Sequence, residues 1–281
     1  MKRDLFSKNT GKILSLAKSQ TFTPMQLNLF CNELKAKGYI AQSINHSKFI
    51  EQMSQLLQKK IDIEFDEKFV TLYTYDKDVT PEQMLLSYKK DSFYSMSSAL
   101  NIMGLSDFRS DFIFISKELS KKNIASKPVQ LEQQAIDEAF SKPYRRTHFI
   151  GRYNNKHIIM LTPKNTDTYG VETNDDGIKH SSVERALVEM IVNVQYFKSA
   201  EHIIETFKPI KEKLDVNAVY EVVERFEFIY PYFQSVGFYL DKIGFTKEQL
   251  HKFKKRVTEL KFYTEKQKDQ YEYDEYWQIY F

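Results

Sequence analysis

Few side chains in this sequence have the types and spacing that chemistry requires. A metal-dependent nuclease needs clustered carboxylates around a divalent ion. The nearest approach is Asp167…Glu172 with Asp175, but position 174, where an acid-x-Lys pairing would have lysine, is Asn174. Asp175-Asp176-Gly177 reads as an ordinary Asp-Gly turn. The histidines His46, His148, His157, His180, His202 and His251 include no i, i+4 pair of the kind that ligates zinc from a helix. His148 and His157 fall where a hairpin would set them as a cross-strand surface pair. None of the 8 glycines belongs to a phosphate-cradling G-x-x-x-x-G-K or G-x-G-x-x-G pattern. Cys31 is the single cysteine, which excludes an internal disulfide and a cysteine-built zinc site. Beside Phe30 on a helix face it is expected to be a buried, inert thiol. The expectation is a protein with no catalytic residue, no metal site and no cofactor. A metal-dependent nuclease using Asp167, Glu172 and Asp175 is the alternative, and a protein-interaction component a third reading.

What chemistry remains is recognition of a polyanion. Residues 1–75 hold 11 Lys/Arg against 7 Asp/Glu, a net of +4, whereas residues 181–281 hold 15 against 17, a net of −2. The basic front must be shaped by its elements. Ile13, Leu14, Leu16 and Ala17 form a short first helix. Thr23-Pro24 opens a second, with Leu27, Phe30, Cys31 and Leu34 inward and Gly38 at its end. Ser43 caps a third over Ile44–Leu57, burying Phe49, Ile50, Met53, Leu56 and Leu57. Ile61–Phe65 alternates, Asp66-Glu67-Lys68 turns, and Phe69–Tyr73 returns as a hairpin. Three helices and a hairpin is the order of a winged helix-turn-helix, whose third helix enters the major groove while its flank grips phosphate. Asn45, His46 and Lys48 would then face DNA from the start of the third helix. Lys59 and Lys60 would stand where the wing begins. The competing reading is a small helical domain with solvated lysines. The hairpin is acidic, with Asp62, Glu64, Asp66 and Glu67, which favours a wing that packs rather than binds. Arg145, Arg146 and Arg152 make a possible second basic patch around a strand start, against a plain solvated surface.

Residues 79–281 predict a mixed layer. Thr80-Pro81-Glu82 opens a helix, Ser95–Met103 forms another, and Phe112–Ile115 is a strand. Gln130–Phe140 is a helix, while 148–150 and 157–161 are strands joined by the Asn154-Asn155 turn. Thr162–Lys179 reads as an irregular connection. Four successive helices follow, the first opened by a Ser181/Glu184 capping box, with Val183, Ala186, Leu187, Met190, Ile191 and Val194 on one stripe. Thr246 with Gln249 starts a fifth, carrying Leu250, Phe253, Val257 and Leu260. The aromatic, acidic tail 271–281 alternates at Trp277, Ile279 and Phe281, as an edge strand docking on the sheet would. The expected fold class is α+β: a winged helix-turn-helix over 1–78, then a domain over 79–281 with a small β-sheet and a layer of helices. Of the 281 residues 42% are apolar and 28% charged, ordinary for a globular protein. No apolar run approaches the roughly 20 residues that span a bilayer, and no secretory h-region follows Met1-Lys2-Arg3. The cytoplasm is the expected location, with no membrane partner.

Three runs resemble one known family. They are Ser-x-Glu-Arg-Ala-Leu at Ser182–Leu187, Ile-Tyr-Pro-Tyr-Phe-Gln-Ser-Val-Gly-Phe-Tyr-Leu at Ile229–Leu240, and Tyr-Ser-Met-Ser-Ser-Ala-Leu-Asn-Ile-Met-Gly-Leu at Tyr94–Leu105. Their order and separation look like the AbiE abortive-infection antitoxins, the antitoxin half of bacterial type IV toxin–antitoxin pairs used in phage defence. The resemblance implies a transcriptional repressor that binds double-stranded operator DNA with inverted repeats. It also implies a cognate nucleotidyltransferase toxin as functional partner, countered without a necessary stable complex. This chain lacks the glycine-rich wing usual in the family.

Overall fold

The computed structural model describes residues 4–18, 20–57, 59–65, 68–106, 111–121, 131–145, 147 and 150–281, with backbone only for Lys59 and Ile150. The chain divides into two compact units, Met1–Ser92 with Ile150–Ile158, and Phe93–Phe149 with Ile159–Phe281. Helices and sheets both contribute, in an α+β arrangement.

The first unit opens with helix α1 (Leu5–Ala17), capped where Asp4 accepts from the Ser7 N–H at 2.8 Å. A two-residue strand, β1 (Thr21–Phe22), precedes α2 (Pro24–Ala36). Thr23 and Gln26 form a reciprocal capping box there, and Pro24 sits where its missing N–H is not needed. Gly38 at φ 69° turns the chain out of α2. Helix α3 (His46–Leu56) starts two residues later than expected: its cap is Asn45, while Ile44 packs on the core. Strands β2 (Lys59–Phe65) and β3 (Lys68–Thr74) pair antiparallel, Lys59 opposite Thr74 and Phe65 opposite Lys68. β1 joins the other edge of β3, Thr21 against Thr74. Helix α4 (Pro81–Leu86) follows its own capping box at Thr80 and Gln83. The core beneath joins Ile13, Leu27, Phe30, Leu34, Phe49 and Met53, and Cys31 is fully buried among them. Burial pushes the Cys31 thiol up, against a smaller pull from Lys35, so it stays protonated at neutral pH.

In the second unit β4 (Phe93–Tyr94) lies antiparallel to β5 (Phe112–Ser116) and precedes α5 (Met96–Ile102). Helix α6 (Gln133–Ser141) comes next. The chain then returns to the first unit, where β6 (Ile150–Tyr153) pairs with β2, Arg152 opposite Glu64. Asn154 and Asn155, at φ 46° and 61°, make the turn into β7 (Lys156–Leu161). The division between units falls within β7. The connection after it is more ordered than expected: β8 (Val171–Thr173) and β9 (Lys179–Ser181) form a hairpin through Asn174–Gly177. Asn174 Oδ1 accepts from Asp176 and Ile178, and Gly177 takes φ 75°, a local turn chemistry that the polar composition concealed.

The helical layer is α7 (Val183–Val192), α8 (Ala200–Phe207), α9 (Val216–Phe226), α10 (Tyr232–Ile243) and the single turn α11 (His251–Lys254). The cap of α7 is Ser182, not Ser181. The expected fifth helix shrinks to α11 because Gln234 of α10 accepts from the Thr258 N–H and hydroxyl and draws the chain away. The tail docks, but not on the larger sheet. β10 (Phe262–Tyr263) runs parallel to β12 (Ile279–Tyr280), and β11 (Tyr273–Asp274) lies antiparallel on its other side. Trp277 and Ile279 are fully buried. Among the described residues no helix is long and apolar enough to cross a membrane.

Candidate functional site

At the start of α3 the backbone amides of the first turn point outward without intrahelical partners. Asn45 supplies one acceptor, taking the Lys48 N–H at 2.8 Å. His46 Nε2 lies 3.2 Å from Asn32 Oδ1 on α2, so it bridges the two helices. Asn45, His46 and Lys48 are all exposed. Lys48 is close enough to Asp4 to help hold that carboxyl below its ordinary range, after the larger contributions of the Ser7 hydrogen bonds. The three candidate residues thus share one surface edge of the first unit.

On the hairpin, Lys60 stands opposite Tyr73 and is exposed. The side chain of Lys59 lies outside the described residues, as do Asp66 and Glu67. One of the acids that would repel phosphate holds a hydrogen bond, as Thr71 donates to Asp62 at 2.6 Å, and Glu64 is in register with Arg152 on the neighbouring strand β6. Arg152 belongs to the first unit and Arg145 to the second. Arg145 and Arg152 are exposed. Arg146 of the Arg145–Arg146–Arg152 patch and His148 of the His148/His157 pair lie outside the described residues.

The carboxylates of the nuclease alternative take separate partners. Asp167 pairs with Lys121 at 3.1 Å, Glu172 on β8 stands opposite His180, and Asp175 lies in the Asn174–Gly177 turn. Among the described residues no three His, Cys, Asp or Glu side chains are grouped to hold a metal.

Sequence reasoning missed a buried polar cluster inside the second unit. Arg185 on α7 is fully buried. Its Nε donates to Glu189 at 2.7 Å and its Nη1 pairs with Glu118 at 3.0 Å. The same Nη1 donates to the Thr166 hydroxyl at 3.1 Å and the Tyr169 carbonyl at 2.6 Å. The guanidinium lies 4.8 Å from the Phe93 ring and 5.1 Å from that of Phe226. Glu189 also accepts from the Ser181 hydroxyl and the Met96 N–H. Burial alone would raise the Glu118 carboxyl, but donation by the Thr166 hydroxyl and by the Thr166 and Thr168 amides, with Arg185 beside it, outweighs that and holds it below the usual range. The i, i+4 spacing of Arg185 and Glu189 was a usable signal, since a lone apolar stripe leaves no reason for ions on the next face. Because α7 is buried nearly all round, those ions meet each other instead of water. The cluster ties the 166–170 loop to α7 and presents no donor to solvent.

A cleft of 470 Å³ lies beside it, lined by Met96, Ser116, Thr147, Glu189, Asn193 and Ile229. Of its charged lining, Glu189 is already engaged by Arg185, and Lys164 pairs with Glu227.

No protein-family profile matches this chain, and no curated protein does. Among solved structures it is similar to the RV2827C protein from Mycobacterium tuberculosis, with 11% identity and a TM-score of 0.54 over 98% of this chain and 90% of that one. At that identity the likeness is one of fold.

Proposed function

We propose that the chain is a DNA-binding antitoxin of the abortive-infection type, which represses its own promoter and counters a nucleotidyltransferase toxin. The observation that carries the reading is the order α1–β1–α2–α3–β2–β3, with β1 on the outer edge of β3 and an exposed start to α3. A winged helix-turn-helix over 1–78 has this arrangement, and it offers Asn45, His46 and Lys48 to a major groove. The resemblance of the Tyr94–Leu105, Ser182–Leu187 and Ile229–Leu240 runs supports the antitoxin half of the reading.

The test is fluorescence anisotropy of full-length protein on its upstream DNA containing inverted repeats. Specific binding, weakened by Lys48→Ala or Lys60→Ala with the melting temperature unchanged, is the expected result. Absence of binding to any inverted repeat overturns the reading. So does Mg²⁺-dependent cleavage of plasmid or RNA that Glu172→Ala abolishes, which would establish the nuclease alternative.

A further inference from the structure

A second cavity of the second unit, about 230 Å³, is walled by the rings of Tyr144, Tyr230, Tyr232 and Phe262, with Arg145 and Lys266 on its lining. We propose that this cavity binds a nucleoside monophosphate, its base among the tyrosines and its phosphate over Lys142, Arg145 and Lys266. The volume decides which part enters. Pockets that bury a whole drug-sized ligand run from roughly 300 Å³ upward, so this one holds a ring and leaves the charged end at the mouth.

Aromatic walls take a base by stacking without choosing its identity. The polar groups that would choose it are unspent: the hydroxyls of Tyr230 and Tyr232 and the amide of Gln195 line the cavity and make no hydrogen bond to another described residue. The cations are unspent too, since none of Lys142, Arg145 and Lys266 forms an ion pair among the described residues. Lys266 donates to the Ala139 carbonyl at 2.5 Å at the end of α6, and no carboxylate among the described residues pairs with it. Its ammonium is held below the ordinary lysine range first by burial and then by repulsion from Arg145 and Lys142. A phosphate placed among the three would relieve that repulsion. Three full charges outweigh the roughly half negative charge carried by the C-terminus of α6. The nearby acids are turned to other donors: Asp137 accepts from the Tyr263 hydroxyl and Gln133, and Glu265 from the Ala200 N–H.

The experiment is isothermal titration calorimetry of the full-length chain with AMP, GMP, CMP and UMP, and with adenosine and inorganic phosphate as half-ligands. The expected result is saturable binding of at least one nucleotide, with both half-ligands at least about tenfold weaker. Arg145 is exposed, so Arg145→Ala should keep the fold and lose at least about tenfold in nucleotide affinity. Tyr230→Phe should shift the preference among the four bases. No nucleotide binding at millimolar concentration overturns the proposal, as does phosphate binding equal to the nucleotides or an Arg145→Ala variant with unchanged affinity. The promoter-binding test does not bear on this result, because it reads residues of the first unit.

Discussion

Arg185 shows how one side chain sets the fate of its neighbours. With the guanidinium in place, Glu118 and Glu189 are paired and buried, their side chains 5% and 7% exposed. Removing it leaves two carboxylates out of water with no counter-charge. Breaking a buried ion pair from one side typically costs about 3–5 kcal/mol, so Arg185→Met is expected to destabilise the second unit by that order. Urea unfolding followed by fluorescence of Trp277, the single tryptophan, reads it, and a loss below about 1 kcal/mol would refute it. Glu118 adds a pH dependence. Its folded carboxyl titrates below the 4.5 of an unperturbed glutamate. The stabilisation is therefore complete above the unfolded value and is lost as pH falls through the lower folded one. Trp277-monitored melting temperature should drop as pH is taken below about 4.5. Glu118→Gln should lower stability at pH 7 and flatten that acid limb, and an unchanged limb would contradict the assignment.

At the scale of elements, the tail and α10 are built for each other. A Cβ on Gly237 would stand 2.3 Å from Trp277 Cζ3 and 2.6 Å from Cη2, closer than real atoms approach. The indole Nε1–H donates to Asp241 one turn further along α10, at 2.8 Å. Glycine in mid-helix ordinarily weakens the helix relative to alanine, so its presence here marks the seat of the indole ring. Gly237→Ala should destabilise by about 1–3 kcal/mol through overpacking, instead of stabilising as a helix-propensity argument would have it. Combining it with Trp277→Leu should recover part of the overpacking loss relative to Trp277→Leu alone. Thermal unfolding by far-UV circular dichroism decides, and a melting temperature raised by Gly237→Ala would show that the tail does not seat there.

For the whole molecule, charge bounds the DNA-binding proposal. Net charge is +3, and the excess lies in residues 1–75. A protein that neutralises Z phosphates loses affinity with salt at a slope of about −0.9Z. With Lys48, Lys59 and Lys60 as the named cations, the slope of log K against log salt should be about −3 per chain. Lys48→Ala should make it shallower by about 1. Binding that ignores salt would mean that phosphate is not what these lysines meet.

Local signals were legible wherever neighbouring residues alone decide. The helix starts at Thr23-Pro24 and Thr80-Pro81, the Asn154-Asn155 turn, the Gly38 helix end and the apolar face of α2 all depend on residues within one or two turns. Charge distribution was legible for the same reason. What only the tertiary structure decided involves partners far apart in the chain. Arg185 meets Glu118 across 67 positions, Gln234 stops the fifth helix through Thr258, and the tail joins Phe262 instead of the larger sheet. Side-chain types and spacing set which groups must be satisfied, but only burial, which removes water as a partner, sets which groups satisfy them.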